Sequence, residues 1–431
     1  MSKFYQAIKS NSPAIFLSLL LILTFCFRAF RLSNPSNYIF DEVYHVPTIK
    51  AIANNNSDAY NPFGKSPEPN TAYDWLHPPL AKLIQAASVN LLGDSSFSWR
   101  LPSAVFGTLS IAALYFFSLT LFKSSSLALL AATIFSLDNL QLTMSRITMN
   151  DIFVTTWIIL ALTFFYKAIK GDSFTHVKVS PYRIARKHLL FTAIFTGLSL
   201  ATKHSSIFLY PIFFIFLTKS FKRSNLAKFF KSILILALLP ITIYLLSYSQ
   251  MFLQGSTLTD FFNLHKQIYW YQTGLTATHS FQSTAWQWPL LIRPVWFHVK
   301  YLSSSIANIY NLGNPLIFWA GLLAFFYALF KKDIFQHIKN STLIKKYLLI
   351  SYLFLFLPFI FSPRIMFLHH YLPALPFLCL ILAAAIYPYR RLTLTFLTLA
   401  FITFIFFYPL NTAIPIPKDI LNYWFWLPTW R

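Results

Sequence analysis

Long apolar segments recur along this chain, and they limit what it can fold into more than any other feature. A bilayer core needs about 20 apolar residues in helical form, and every backbone polar group inside it must be paired within the protein. The sequence therefore predicts an all-α polytopic membrane protein with eleven transmembrane helices. The predicted spans cover residues 13–30, 100–122, 125–142, 150–168, 188–202, 205–218, 231–252, 312–330, 347–362, 369–387 and 392–408.

The basic residues predict the orientation of these spans. If the N-terminus is cytoplasmic, 21 of the 35 Lys and Arg residues lie in cytoplasmic segments, where the acids are only Asp172 and Asp333. This asymmetry is the positive-inside pattern of membrane proteins. It also accounts for much of the net charge of +23, so we do not interpret that charge as nucleic-acid binding.

The same orientation places two large loops on the extracytoplasmic side of a single membrane domain that covers residues 1–431. The first loop, residues 31–99, contains two predicted helices, at 42–54 and 79–92. The second loop, residues 253–311, is rich in Trp, a residue that favours the membrane interface. We expect these two loops to carry the chemistry.

The first loop is unusually acidic for this chain. It holds five of the twelve acidic residues within residues 39–82, namely Asp41, Glu42, Asp58, Glu68 and Asp74. Successive side chains on a helix diverge by about 100°, so Asp41 and Glu42 cannot both face one target. One is expected to face a substrate while a base such as Arg28 or Arg31 holds the other. The plainer alternative is a solvated start to the loop.

His77 precedes two prolines, Pro78 and Pro79. The prolines restrict the backbone on both sides and would aim the imidazole in one direction. This pattern favours a site residue, although an ordinary turn would have the same sequence.

Basic residues also lie at the extracytoplasmic helix ends, where the positive-inside pattern does not explain them. Two interpretations remain open. Either they form ion pairs within the fold, for example Arg146 with Asp151 or Asp138, or they form an anion site. The residues are Arg100, Arg146, Lys203, His204, Arg364, His369 and His370.

The sequence has no phosphate-binding loop, no dinucleotide glycine fingerprint and no His-Glu-x-x-His motif. This argues against nucleotide chemistry on the cytoplasmic face. An activated donor at the other face would then be carried by a lipid. A lipid-phosphate sugar fits, with its tail among the helices, its phosphate on the cations and its sugar beneath the acidic loop.

Several motifs resemble the protein O-mannosyltransferase family of the GT-C glycosyltransferase superfamily. They are FDEVYH, HPPLAKL, SWRLPSAVFGTLSIAALYFFSLTLF, SRITMNDIF, GLSLATKHSSIF, HSFQSTAWQWPLLIRPVWFHVKY, IYNLGNPLIFW and SPRIMFLHHYLPALPF, in this order along the chain. The resemblance implies a GT-C fold of the compact bacterial type, without an added lumenal domain. It also implies a location in the bacterial inner membrane.

The resemblance further implies roles for residues. Asp41 would be the catalytic carboxylate, Glu42 its structural or binding partner, and Arg100 the ligand of the carrier phosphate. Substrate-binding positions would be Arg146, Asp151, Lys203, His77, Trp286, Arg364, His370 and Tyr371. No metal or other cofactor is implied, although Asp41, His77 and His370 could in principle hold a metal.

The resulting hypothesis is an inverting glycosyltransferase. It would move a sugar, mannose by resemblance, from a polyprenyl-phosphate carrier to a Ser or Thr hydroxyl of a protein acceptor, with Asp41 as the base. Three alternatives stay open: transfer to a lipid such as lipid A, a transporter or flippase, and a structural subunit. A dimer is one option for its assembly.

Overall fold

The computed structural model describes residues 2–170, 185–220, 226–331, 335, 338 and 340–431, with backbone alone at 2–12 and 220. Eight charged residues used for the orientation prediction lie outside this range: Asp172, Lys178, Arg183, Lys222, Arg223, Lys332, Asp333 and Lys339. The described part of the chain contains sixteen α-helices. They are α1 (Ser2–Ala29), α2 (Glu42–Ala53), α3 (Leu80–Leu92), α4 (Ser96–Phe122), α5 (Ser125–Ser136), α6 (Asn139–Met144), α7 (Asp151–Lys170), α8 (Arg186–Leu200), α9 (Leu209–Ser220), α10 (Leu226–Ser247), α11 (Ser249–Leu253), α12 (Leu258–Gly274), α13 (Pro315–Phe330), α14 (Ser341–Phe356), α15 (Leu375–Ile386) and α16 (Arg390–Thr412).

Five of the helical segments are long and apolar enough to cross a membrane: Ser96–Phe122, Asp151–Lys170, Leu226–Ser247, Ser341–Phe361 and Arg390–Thr412. Shorter apolar helices include Pro13–Ala29, His204–Lys219, Pro315–Phe330 and Leu375–Ile386. Each predicted span coincides with a helix or with two consecutive helices. The count of eleven membrane crossings itself stays a prediction.

The helices divide into a buried group and an exposed group. Helix α4 packs against α5 and α7, α5 packs against α15, and α15 is buried almost throughout. Helix α8 packs between α7 and α10, and Gly197 permits this, since a Cβ there would lie 2.8 Å from Ile243. By contrast, only a small share of α10 and α16 is buried, and both helices have exposed apolar side chains. Such outward apolar faces suit contact with lipid hydrocarbon.

The first large loop folds as predicted into two helices, α2 and α3, and these pack against each other and against the start of α4. The N–H of Leu80, at the start of α3, donates to the carbonyl of Ala201, 3.0 Å away beyond the end of α8. This bond holds the His77-Pro78-Pro79 turn close to Lys203.

The second large loop contains a small sheet that the all-α prediction did not include. Strands β1 (Val295–Tyr301) and β2 (Ser305–Asn311) pair antiparallel, with an irregularity between Trp296 and His298. Strand β3 (Ile416–Pro417) pairs with β2. Phe297 of β1 stacks on Phe40, with ring centroids 4.3 Å apart. The sheet therefore supports the segment that carries Asp41 and Glu42.

Candidate active site

Side chains of the first large loop meet several helix ends around a cavity of about 560 Å³. Its walls come from the start of α2, the start of α7, residues 203–208, α12 and residues 358–370. More than half of the predicted site residues line this cavity: Asp41, His77, Asp151, Lys203, Arg364 and His370. Residues from distant parts of the sequence are thus brought to one place.

Asp41 is the residue directly before α2, and its carboxyl group borders the cavity. Its side chain makes no hydrogen bond or ion pair with any residue that the structure describes. Burial raises the pKa of Asp41 to about 6, and the charges of Asp74 and Asp151 act in the same direction, while His45 and Lys203 oppose them. Such a carboxylate can accept a proton near neutral pH.

Glu42 points away from the cavity and is fully buried against Arg100. The guanidinium binds both carboxylate oxygens, at 2.8 Å from Nε and 2.7 Å from Nη2. The N–H groups of Ile39 and Thr148 donate to the same carboxylate at 3.0 Å each. Glu42 therefore fixes the start of α2, and so the position of Asp41.

Arg100 lies outside the cavity, which requires a correction to its predicted contact with phosphate. Besides the pair with Glu42, it donates to the carbonyls of Leu32, Pro35 and Asn37 at 2.6–3.2 Å. These contacts occupy all five of its N–H donors. No donor remains for a ligand while the loop keeps this conformation.

Arg146 is also outside the cavity. Its guanidinium donates to the carbonyls of Phe27, Arg28, Phe30 and Arg31 at 2.6–3.4 Å. A cation at unpaired carbonyls of a helix C-terminus is favourable. Arg146 therefore caps α1, and it forms neither the anion site nor the ion pairs with Asp138 or Asp151 that the sequence suggested.

Two aromatic residues of the predicted site also lie elsewhere. Trp286 is 55% exposed and does not line the cavity. Tyr371 is fully buried, and its hydroxyl lies 2.8 Å from that of Tyr352. Tyr371 therefore serves the packing between α14 and the residues before α15.

Two histidines of the cavity wall share one buried acid, Asp74. Nδ1 of His77 lies 3.0 Å from Oδ1 of Asp74, and Nδ1 of His45 lies 3.1 Å from Oδ2. Lys82 is paired with the same carboxylate at 3.2 Å. Burial raises the pKa of Asp74, but Lys82, His77 and His45 outweigh it and hold the pKa well below its usual range. With both Nδ1 atoms turned to Asp74, each ring has Nε2 free for other contacts.

Lys203 and Asp151 form an ion pair in the cavity wall, with Nζ and Oδ1 2.7 Å apart. Both are mostly buried. Since each neutralises the other, the pair adds little net charge to the cavity. Lys203 can still offer its remaining N–H groups to an anion.

Arg364 is the cavity's guanidinium, and no carboxylate among the described residues pairs with it. It donates from Nη1 to the amide oxygen of Gln272, and its Nε has no partner. A neutral amide leaves the positive charge uncompensated. Arg364 is therefore suited to bind an anion that enters the cavity.

One side of the cavity is apolar. It is formed by Ile207, Phe208, Pro358, Phe359 and Phe361, from two short 3₁₀ helices. Ile207 is 53% and Phe361 85% exposed at the protein surface. The cavity thus joins a charged interior to an apolar rim.

Sequence reasoning missed several cavity residues, among them His45, His265, Tyr269 and Gln272. His45 follows Asp41 by four residues, so the helical repeat of α2 could have placed both on one face. No local sequence pattern indicated that α12 lines the cavity, because its position depends on how the second large loop folds back. Among the described residues, no three His, Cys, Asp or Glu side chains converge in a way that could hold a metal.

The chain is similar to known proteins over almost its whole length. Residues 18–253 match the family described as dolichyl-phosphate-mannose-protein mannosyltransferase. Residues 257–430 match the C-terminal four TMM region of protein-O-mannosyltransferase. A polyprenol-phosphate-mannose–protein mannosyltransferase of Corynebacterium glutamicum is 23% identical, over 91% of this chain and 88% of its own length.

Two solved structures share the fold. The Saccharomyces cerevisiae protein O-mannosyltransferase Pmt1-Pmt2 complex bound to the sugar donor gives a TM-score of 0.77 at 15% identity, covering 97% of this chain and 93% of the other. ArnT from Cupriavidus metallidurans bound to undecaprenyl phosphate gives 0.55 at 13% identity, covering 87% and 60%. The predicted GT-C membrane fold is therefore confirmed.

Proposed function

The chain belongs to the dolichyl-phosphate-mannose-protein mannosyltransferase family and is an integral membrane glycosyltransferase, and from this premise we propose its reaction. It transfers mannose from a polyprenyl-phosphate carrier to a Ser or Thr hydroxyl of a protein. The mannosyl donor and protein acceptor are those named for the C. glutamicum relative.

One observation carries this proposal: among the described residues, the carboxylate of Asp41 in the cavity has no partner, and the guanidinium of Arg364 has no carboxylate partner. Glycosyl transfer from a lipid phosphate to a hydroxyl needs both groups. The departing phosphate needs a cation, and the attacking hydroxyl needs a base. The other acid and cation of the cavity, Asp151 and Lys203, already neutralise each other.

The donor fits the cavity in one direction. Its phosphate binds Arg364, with Lys203 as a second contact, and its first isoprene units lie against Ile207, Phe208 and Phe361 at the apolar rim. The sugar then occupies the space between Arg364 and Asp41. His77 and His370 also line the cavity and are the proposed contacts for sugar hydroxyls.

The reaction is a single displacement. The acceptor oxygen forms a bond to the anomeric carbon while the bond from that carbon to the phosphate oxygen breaks. Asp41 takes the hydroxyl proton, and the electron pair of the broken bond stays on the phosphate. Attack opposite the leaving group inverts the configuration. Glu42 and Arg100 act as positioning residues because they hold Asp41 without facing the cavity.

The rate is expected to depend on pH through Asp41. The base must be ionised, and the pKa of Asp41 is raised to about 6. Transfer to peptide should therefore be constant above about pH 7 and fall about tenfold for each pH unit below about 6. Initial rates in proteoliposomes at saturating donor would measure this profile. A rate that rises on acidification would contradict the assignment.

Replacing Arg364 is expected to weaken use of the donor. Arg364→Gln should lower kcat/KM for polyprenyl-phosphate-mannose about a hundredfold, because one charge contact to the leaving group is lost. Arg364→Lys keeps the charge and should recover part of the loss. Arg391→Gln, an exposed Arg at the start of α16, is the matched control. Equal donor kinetics in Arg364→Gln and wild type would reject this contact.

The reaction itself is tested by offering the purified protein several polyprenyl-phosphate sugars together with Ser/Thr peptides and lipid acceptors in proteoliposomes. Mannose on peptide is the expected product. Transfer only to lipid would show that the acceptor is a lipid and would leave the proposed site unchanged. Absence of any transfer by folded protein would favour a transporter.

The location and assembly are also part of the proposal. We place the protein in a bacterial inner membrane with a cytoplasmic N-terminus and an extracytoplasmic cavity, as the basic segments favour. The S. cerevisiae structure is a complex of two chains, and we propose a dimer here. Labelling of single introduced cysteines from each side of the membrane would test the orientation. The mass of the protein in nanodiscs would test the dimer.

A further inference from the structure

A second depression, of about 500 Å³, opens beside the cavity and is lined by residues 275–278, parts of 282–287 and residues 359–366. We call it the side groove. It shares Phe359, Ser362, Arg364 and Met366 with the wall of the cavity. A molecule lying in the side groove therefore ends next to Arg364, where the leaving phosphate is proposed to bind.

One wall of the side groove is a mostly exposed segment without regular secondary structure at residues 275–278, just after α12. Leu275 has extended backbone angles, with φ −68° and ψ 116°. The backbone groups of Thr276, Ala277 and Thr278 make no hydrogen bond with any described residue. An extended segment with free N–H and C=O groups is a ready template for another strand.

The side groove is lined by neutral groups apart from Arg364. Its polar residues are the hydroxyls and amides of Thr276, Thr278, Gln282, Ser283, Thr284, Gln287 and Ser362. Ile360, Pro363 and Ile365 supply apolar surface. This chemistry does not suit a second phosphate, which would need several cations. It suits an uncharged chain of alternating polar and apolar groups, such as a polypeptide.

From these observations we infer that the acceptor polypeptide binds in the side groove as an extended strand, paired with the free backbone groups of residues 276–278. This inference rests on the proposed function and deepens it by stating how the acceptor is held. In strand addition, main-chain hydrogen bonds supply the affinity, and side-chain contacts supply the specificity. The acceptor would thus be recognised by an extended, accessible backbone next to a Ser or Thr.

The geometry of a strand makes a sharp test possible. Along a paired strand, alternate residues turn their N–H and C=O groups toward the partner, and the residues between turn theirs away. Proline removes one N–H. Of the neighbouring variants Thr276→Pro and Ala277→Pro, one should raise the acceptor KM about tenfold, the effect of one or two net hydrogen bonds. The other should change it less than about twofold.

Both variants are expected to fold, because the replaced N–H groups have no partner among the described residues. Lys65→Pro is the control for proline itself, because Lys65 is exposed and its N–H makes no hydrogen bond with a described residue. Donor KM should be unchanged in all three, which separates acceptor binding from damage to the cavity. Equal acceptor KM values in the two neighbouring variants would overturn the strand pairing.

A binding measurement distinguishes failure of this inference from failure of the proposed function. Anisotropy of a fluorescent Ser/Thr peptide is followed with wild-type protein, and then with peptides N-methylated at single successive positions. Alternating loss of affinity supports the pairing whether or not sugar is transferred. If wild type mannosylates the peptide but N-methylation at every position is tolerated, the function stands and the pairing is rejected. If no peptide binds, the pairing is rejected as well.

Discussion

Asp41→Asn is expected to transfer mannose about 10³-fold more slowly than wild type, because a positioned general base contributes about 10²–10⁴ to a rate. Asn is nearly the same size but cannot accept the proton. The measurement is the initial rate of peptide mannosylation at saturating donor and acceptor. Donor KM should change little, since the carrier phosphate is proposed to contact Arg364 on another part of the wall.

The same variant should fold at least as well as wild type. The pKa of Asp41 is raised by folding, so above about pH 6 the folded state disfavours the ionised carboxyl, and a neutral amide removes that cost. Its thermal unfolding midpoint at pH 7.5 should equal or exceed that of wild type. Asp58→Asn, in the same loop but outside the cavity, is the matched control and should keep full activity. An active Asp41→Asn variant would remove the base from the mechanism.

Glu42→Gln is expected to destabilise the protein by about 3–5 kcal/mol, because it leaves the buried charge of Arg100 without its counterion. Glu42 is completely buried and Arg100 is 1% exposed, so water cannot replace the lost partner. The measurement is the unfolding midpoint in detergent, together with the yield of folded protein. Loss of activity should accompany the loss of stability, since the pair holds Asp41 in place.

Glu68→Gln is the control for this change. Glu68 is also paired, with Lys50 at 3.0 Å, but its side chain is 35% exposed. Pairs of this kind contribute about 0–1 kcal/mol. The contrast between the two variants isolates burial as the cause. A Glu42→Gln variant as stable as Glu68→Gln would contradict the structural role given to the pair with Arg100.

The helices could be predicted from the sequence because their signal is local. Each apolar run can be recognised from its own residues, and Pro79 at the start of α3 marks a helix start. The pairing of the third strand, β3, could not be predicted this way. β2 pairs with Ile416, more than a hundred residues later in the chain. This pairing therefore depends on how the membrane helices bring the C-terminal segment back.

The candidate site, too, could be predicted from the sequence only in part. Asp41 was predicted as a site residue because ionisable groups near a membrane are costly and usually have a task, and His77 because two prolines follow it; both line the cavity. Arg100 and Arg146 were predicted from their position at helix ends and from the family resemblance, but they use their donors on Glu42 and on backbone carbonyls. From the sequence one can recognise a cation whose burial would be costly. The sequence does not show which oxygen atoms pair with that cation. Only the fold distinguishes Arg364, which faces the cavity with its charge uncompensated, from the other two.

The most direct test of the account is the anomeric configuration of the product. Polyprenyl-phosphate-mannose of known configuration is given to wild-type protein with a Ser/Thr peptide in proteoliposomes, and the mannosyl peptide is analysed by NMR. We expect mannose on the hydroxyl oxygen with the configuration opposite to that of the donor, as one displacement assisted by Asp41 requires. A product with the donor's configuration, or an unmodified peptide, would contradict the account.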